Sequence, residues 1–187
     1  KVSFQSWQGS SDTEVLIQSI AKWGLEPTLK KCNGMFAFAL WDIKESMLYL
    51  ARDRFGEKPL YYGRIGQDFV FGSELKALQT HPDFNKIVDR EALASFLQFS
   101  YVPSPKSIFK GICKLPPANI LSIDFHTGKK SLTSYWSLKQ SPLKENHQIN
   151  ETTLLNDLSI KLNKSVSEQM LADVPVGAFL SGGVDSS

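Results

Sequence analysis

The sequence predicts an α+β domain that runs into the opening of a doubly wound α/β domain. Three observations predict it. Short apolar runs between residues 35 and 71 follow one another too closely for helical crossovers, so they pair antiparallel. Segments of helical period lie on both sides of these runs. Near the end of the chain an amphipathic helix, an apolar run and a glycine-rich loop succeed one another, as at the start of a nucleotide-binding α/β sheet.

Residues 10–23 carry the first helix. Ser10, Ser11 and Asp12 can cap it, Glu14 stands three residues after Ser11 as a capping box requires, and Val15, Leu16, Ile20 and Trp23 share a face. Gly24 supplies a stop, and a second short helix spans Glu26 to Lys31. Residues 35–41 are nearly all apolar, which predicts a strand buried on both faces. Residues 47–51, 59–62 and 69–71 follow as strands of an antiparallel meander, with a turn over Gly63 to Asp68. Glu74 to Leu78 and Arg90 to Phe99, the latter capped by Asp89, read as helices. Pro103, Pro105, Pro116 and Pro117 exclude a long helix beyond them, and residues 120–124 and 130–136 form a final hairpin about His126-Thr127-Gly128. Residues 138–150 are polar and read as a linker. Leu155, Leu158, Leu162, Val166 and Met170 mark an amphipathic helix over Thr152 to Leu171, and Val174 to Leu180 reads as a buried strand. The domain division is therefore 1–137, 138–150 and 151–187.

Bulk properties narrow the class. The 187 residues are 42% hydrophobic and 21% charged, an ordinary globular composition. The net charge is +2 and the basic residues are scattered, which argues against nucleic acid as the main ligand. No apolar run reaches the ~18 residues of a membrane span, and no signal peptide is present, so a cytoplasmic protein without a membrane partner is the expectation. Cys32 and Cys113 belong to no CxxC pair and the three histidines are far apart in sequence, so no metal site is expected from them. The chain begins without Met inside a polar run and stops where a helix should start; the reading is an internal piece of a longer protein.

The residues 181–187, Ser-Gly-Gly-Val-Asp-Ser-Ser, carry the chemistry at that end. Small residues after a strand let the backbone approach phosphate oxygens, and Ser181, Ser186 and Ser187 can donate hydroxyl hydrogen bonds to the anion. Asp185 would repel a phosphate directly and is better placed to orient the loop or help hold Mg2+. The spacing and the missing lysine exclude a Walker-type loop. The pattern resembles the SGGxDS motif of the ATP-pyrophosphatases, which split ATP between its α and β phosphates and adenylate a substrate.

Further blocks occur in order: residues 11–15 (SDTEV), 33–42 (NGMFAFALWD), 51–62 (ARDRFGEKPLYY), 72–78 (GSELKAL), 101–103 (YVP) and 108–112 (IFKGI). With the terminal loop they resemble the glutamine-hydrolysing asparagine synthetase family of bacterial and plant type, over almost the whole chain except 138–150. The resemblance implies an N-terminal-nucleophile hydrolase-type αββα sandwich, truncated at its N-terminus, followed by the first helix and strand of a Rossmann-like ATP-pyrophosphatase domain. It implies a class II glutaminase whose N-terminal cysteine releases ammonia, and a second site where aspartate is adenylated with ATP and Mg2+ and then amidated to asparagine. Glutamine, aspartate and ATP would be the small-molecule partners, and a homodimer is compatible.

The nucleophile and the arginine and Asn-Gly-Glu segments of that family are missing from this sequence, so no catalytic residue is assigned and the piece alone is expected to be inactive. Asp12 matches the aspartate that grips the glutamine α-amino group; its bland alternative is a helix cap. Leu180 matches a residue on the adenine side of ATP, and Ser181, Gly182, Gly183, Asp185, Ser186 and Ser187 match the pyrophosphate loop. Cys32 reads as a packed thiol. Arg52, Asp53, Arg54, Glu57 and Lys58 read as an ion-pair network that fixes a loop, and the aromatic side chains of Phe36, Phe38, Trp41, Tyr61, Tyr62 and Phe71 as core. The sequence leaves open a relative that amidates another acceptor, such as a sugar carboxylate, and a non-catalytic protein that keeps the fold.

Overall fold

A computed structural model describes residue 9 and residues 11–138 and 150–184. The chain divides into two compact units, Lys1–Lys139 and Gln140–Ser187.

In the first unit, helix α1 (Asp12–Trp23) starts where Ser11 Oγ accepts the Thr13 N–H, so Ser11 is the N-cap. The Glu14 carboxylate reaches past the cap and accepts the Gly9 N–H at 2.8 Å, a variation on the expected capping box. Gly24 ends the helix at φ +84°, and α2 (Leu25–Lys31) follows directly. Then come β1 (Ala37–Asp42), β2 (Met47–Arg52), β3 (Tyr61–Ile65), β4 (Asp68–Gly72), α3 (Leu75–Leu78), α4 (Arg90–Phe99), β5 (Ile112–Lys114), β6 (Asn119–Asp124) and β7 (Lys130–Ser134). The strands form two antiparallel sheets, ordered β1-β2-β6-β7 and β4-β3-β5.

The register sets the layers. Leu48 and Leu50 of β2 stand opposite Ile123 and Leu121 of β6, on one face. This face meets Leu60, Leu115, Tyr62 and Phe69 of the second sheet and its flanks, forming the inner core. Alternate residues of the first sheet, Ala51 and Ile120, point the other way and pack with Leu25 and Leu29 of α2 and with Tyr135. On the outer face of the second sheet Ile65, Ile112 and Val70 pack with Leu75 and Leu78 of α3, and with Phe84 and Phe109. Helix, sheet, sheet, helix is the αββα sandwich expected. Each fully buried leucine contributes ~1.5–3 kcal/mol, so these three clusters carry the fold.

Several expectations need correction. Among the described residues, 35–41 are not buried on both faces: β1 stands at the end of its sheet, and Ala39 and Trp41 are exposed. The aromatic residues do not make one core. Phe36 and Phe38 join α2, Tyr62 lies between the sheets, Tyr61 faces α3, and Trp41 and Phe71 are largely exposed. The meander is also broken. Within it only β1–β2 and β3–β4 are simple neighbours; β2 pairs with β6, 69 or more positions further along the chain, and β3 with β5. The turn predicted over 63–68 shrinks to Gly66 and Gln67, because β3 and β4 run on through it. Strand β5 was not anticipated: it lies among prolines and has three residues.

In the second unit, α5 (Glu151–Gln169) is capped by Asn150, whose Oδ1 accepts the Thr152 N–H at 3.0 Å. Its apolar stripe, Leu155, Leu158, Leu162 and Val166, is exposed. Residues 174–180 are exposed and form no strand, contrary to expectation. A strand is made by hydrogen bonding to a neighbour, and no other strand occurs among the described residues of this unit.

Candidate functional site

Between α1 and β1 lies a cavity of ≈ 900 Å³. One wall is the inner face of α1, with Leu16, Ser19 and Trp23; the opposite wall is the chain entering β1, with Met35, Phe36 and Phe38. Asp12 and Thr13 line it at the start of the helix, and Lys58 and Ser73 also line it. The wall surface is mostly apolar, with polar residues such as Asp12, Asn33, Lys58 and Ser73 interspersed, a make-up compatible with a small-molecule site.

Asp12 is the first residue of α1 and exposed, and the cap is Ser11 instead. Its carboxylate is thus not the group that starts the helix. A carboxylate beside an apolar cavity suits an ammonium ligand, although the positive end of the helix partly opposes that attraction.

The opposite side of the cavity depends on the loop after β2. Asp53 is 1% exposed. Its carboxylate accepts four backbone N–H groups: Phe36 at 3.3 Å, Phe55 at 3.1 Å, Glu57 at 2.9 Å and Lys58 at 3.0 Å. Arg52 donates to three carbonyls, those of Lys58, Gly56 and Leu115, at 2.7, 2.5 and 2.6 Å. Tyr135 closes the node by donating its hydroxyl to the Arg52 carbonyl at 2.9 Å. Burial pushes the Tyr135 phenol up to about 12, with the Asp53 charge adding to the effect. Gly56 has φ +67°, and a Cβ there would stand 2.8 Å from the Arg52 guanidinium, so only glycine suits the turn. The loop is fixed, as the sequence suggested, but through side chain to backbone bonds rather than an ion-pair network. Arg54 leaves the node: it donates to the Lys30 carbonyl at 2.8 Å and lies over Trp136.

Cys32 is half-buried and lines the cavity. Burial raises its pKa, with Arg54 partly offsetting the shift, so the thiol is held in its neutral form. That environment matches a packed thiol and not an activated nucleophile.

In the second unit Leu180, Ser181, Gly182 and Gly183 are exposed. Leu180 is therefore not a strand-end core residue. Gly182 has φ +76° with open space where a Cβ would stand, a conformation that suits close backbone approach to an anion. Asp185, Ser186 and Ser187 lie outside the described residues. Asp12 and the 180–187 loop belong to different units.

Sequence reasoning missed Lys58 and Ser73 as cavity residues. Ser73 follows β4 and Lys58 precedes β3, so the β3–β4 pairing is what carries both to the cavity; no local pattern announces it. Phe36 and Trp23 read as core from their periodicity, and a wall residue has the same pattern.

Comparison with known proteins places this geometry. A family model of the glutamine amidotransferase domain matches residues 1–136, and one of asparagine synthase matches residues 157–187. Two glutamine-hydrolysing asparagine synthetases of Bacillus subtilis are similar: one is 38% identical over 97% of this chain and 28% of its own length, the other 37% over 95% and 27%. The amidase chyE of Penicillium rubens is 29% identical over 96% of the chain and 26% of its own length. The chain spans little more than a quarter of the length of these relatives.

Proposed function

Because this chain belongs to the glutamine amidotransferase domain family, we propose that its cavity is part of a glutamine site and that the protein is a glutamine-dependent asparagine synthetase. The observation that carries the reading is Asp12. It lines an apolar-walled cavity of ≈ 900 Å³, and it is released from capping duty by Ser11. An amino acid with an aliphatic stem suits such a space: Asp12 takes the α-ammonium, and Leu16, Met35 and Phe36 take the methylene groups.

The reaction assigned to the full-length protein has two parts. Glutamine yields glutamate and ammonia; aspartate is activated by ATP at the second site, and ammonia displaces AMP from the acyl adenylate to give asparagine. Leu180, Ser181, Gly182 and Gly183, with Asp185, Ser186 and Ser187, are assigned to ATP. The exposed backbone and the left-handed Gly182 suit that role. Mg2+, when bound, would neutralise phosphate charge, and Asp185 is the residue here of the right chemistry to help hold it. A cytoplasmic location and a homodimer complete the proposal. The domain division assigned is 1–137 for the glutaminase part, 138–150 for a linker and 151–187 for the start of the synthetase part.

A second reading keeps the architecture and changes the acceptor. The likeness to a protein named as an amidase means that similar chains do not all carry the asparagine synthetase name. Both readings meet in one assay of the full-length protein. With glutamine, ATP and aspartate, AMP, pyrophosphate and asparagine should form in equal amounts; no turnover with aspartate, but turnover with another carboxylic acid, would move the assignment to the second reading. The chain 1–187 alone should release no glutamate from glutamine.

A further inference from the structure

Residues 31–38 form one continuous stretch of the cavity wall, and Met35 and Phe36, which take the methylene groups in the glutamine reading, stand within it. Residues 32–36 lie outside helix and strand, between the end of α2 and the start of β1. Two consecutive residues of the loop after β2 hold the two ends of this stretch. At one end Asp53 bonds Phe36 twice: its N–H donates to the Phe36 carbonyl at 2.9 Å, and its Oδ2 accepts the Phe36 N–H at 3.3 Å. At the other end Arg54 donates through Nη2 to the Lys30 carbonyl at 2.8 Å. The guanidinium is itself seated. Its Cζ lies 5.9 Å from the centre of the Trp136 ring, and Phe55 meets the same ring edge-on at 5.4 Å.

We propose that Arg54 is a positioning residue of the glutamine site: with Asp53 it clamps residues 31–36 and so fixes Met35 and Phe36 against the substrate's side chain. The proposal rests on the glutamine reading. Arg54 is not among the residues that line the cavity, so it acts on the wall through the Lys30 carbonyl. Its placement is not explained by stability. Its Nε is buried and, among the described residues, has no acceptor. A buried donor left without a partner costs as much as a hydrogen bond contributes, or more. A methionine would cover the Trp136 ring without that cost. What the guanidinium adds is the tie to the Lys30 carbonyl, at the point where α2 gives way to the wall. A wall displaced by an ångström weakens the fit to a bound substrate even when the change lies away from it.

The test uses the full-length protein and compares wild type with Arg54→Met and Arg54→Lys. It reads the KM and kcat of glutamate release from glutamine, the rate of synthesis with ammonium chloride in place of glutamine, and the urea midpoint. Arg54→Met should raise the glutamine KM about threefold or more, while ammonium-driven synthesis and the urea midpoint keep their wild-type values. Arg54→Lys keeps a donor for the Lys30 carbonyl and should recover most of the loss in KM. A merely structural role at the end of α2 predicts the reverse, a lower urea midpoint in Arg54→Met with the glutamine KM unchanged, and that result overturns the inference. A KM raised equally in Arg54→Met and Arg54→Lys overturns it too, because the bond to Lys30 would not be what matters. If Arg54→Met does not fold, Trp136→Leu unseats the guanidinium and carries the same expectation, and an unchanged KM there is equally fatal. If wild type releases no glutamate at all, the glutamine reading fails and takes this inference with it; glutamate release with a KM that no variant moves defeats the inference alone.

Discussion

Asp12 lines the cavity and Asp53 lies behind its wall, bonded to the backbone of Phe36 and Lys58, and the two are used in opposite ways. Asp53 is enclosed, its two oxygens shared among four backbone N–H groups, and nothing outside the protein can reach it. Asp12 is exposed at the first turn of α1, and the neighbouring Ser11 has taken over the capping that an aspartate there could perform. A carboxylate whose valences are filled by the chain holds structure, and one left facing a cavity is available to a ligand. Residue type does not separate them; the hydrogen-bond partners do.

The sharpest way to break this contrast is Asp53→Ala. It orphans four N–H groups, three of them in one loop, and should cost ~3–5 kcal/mol, read as a drop in urea midpoint at unchanged slope. A loss below ~1 kcal/mol would show that the loop is held by Arg52 alone. Tyr135→Phe removes one hydrogen bond, to the Arg52 carbonyl, and should cost ~1 kcal/mol at neutral pH. Its alkaline behaviour adds a sign. The folded phenol is raised from 10 to about 12. The unfolded chain therefore ionises first, and the stability associated with the neutral phenol is full below pH 10 and is lost as pH rises toward about 12. The variant should show a flatter decline in thermal midpoint over that window, and an identical slope would remove Tyr135 from the account. The smallest effect on stability belongs to Asp12→Asn, within about 0.5 kcal/mol. In the full-length protein the same change should raise the glutamine KM while ammonium-driven synthesis is kept. An unchanged KM would return Asp12 to a surface role.

Local signals were read well where the chain itself supplies the partner. The α1 start, the Gly24 stop, the Asp89 cap of α4 and the β6–β7 hairpin all rest on residues within a few positions of each other, and all are present. Readings failed where a distant partner decides. Residues 35–41 look like a central strand, yet among the described residues the strand stands at the end of its sheet. Residues 174–180 look like a buried strand, yet no strand pairs with them among the described residues. For the site, Asp12 was legible because it sits in a short motif. Lys58 and Ser73 were not, because their place in the cavity wall follows from strand pairing.

By itself the sequence determined most of the helices, the final hairpin and the family, since motif order and local hydrogen-bond chemistry are written in short stretches. Only the tertiary structure decided that the seven strands among the described residues sort into two sheets, that Asp53 is spent on four backbone N–H groups while Asp12 is not, and that Lys58 stands in the cavity wall with Asp12. These depend on which faces remain uncovered once β2 has found β6 and β3 has found β5, and burial of that kind is a property of the packed chain, not of any segment.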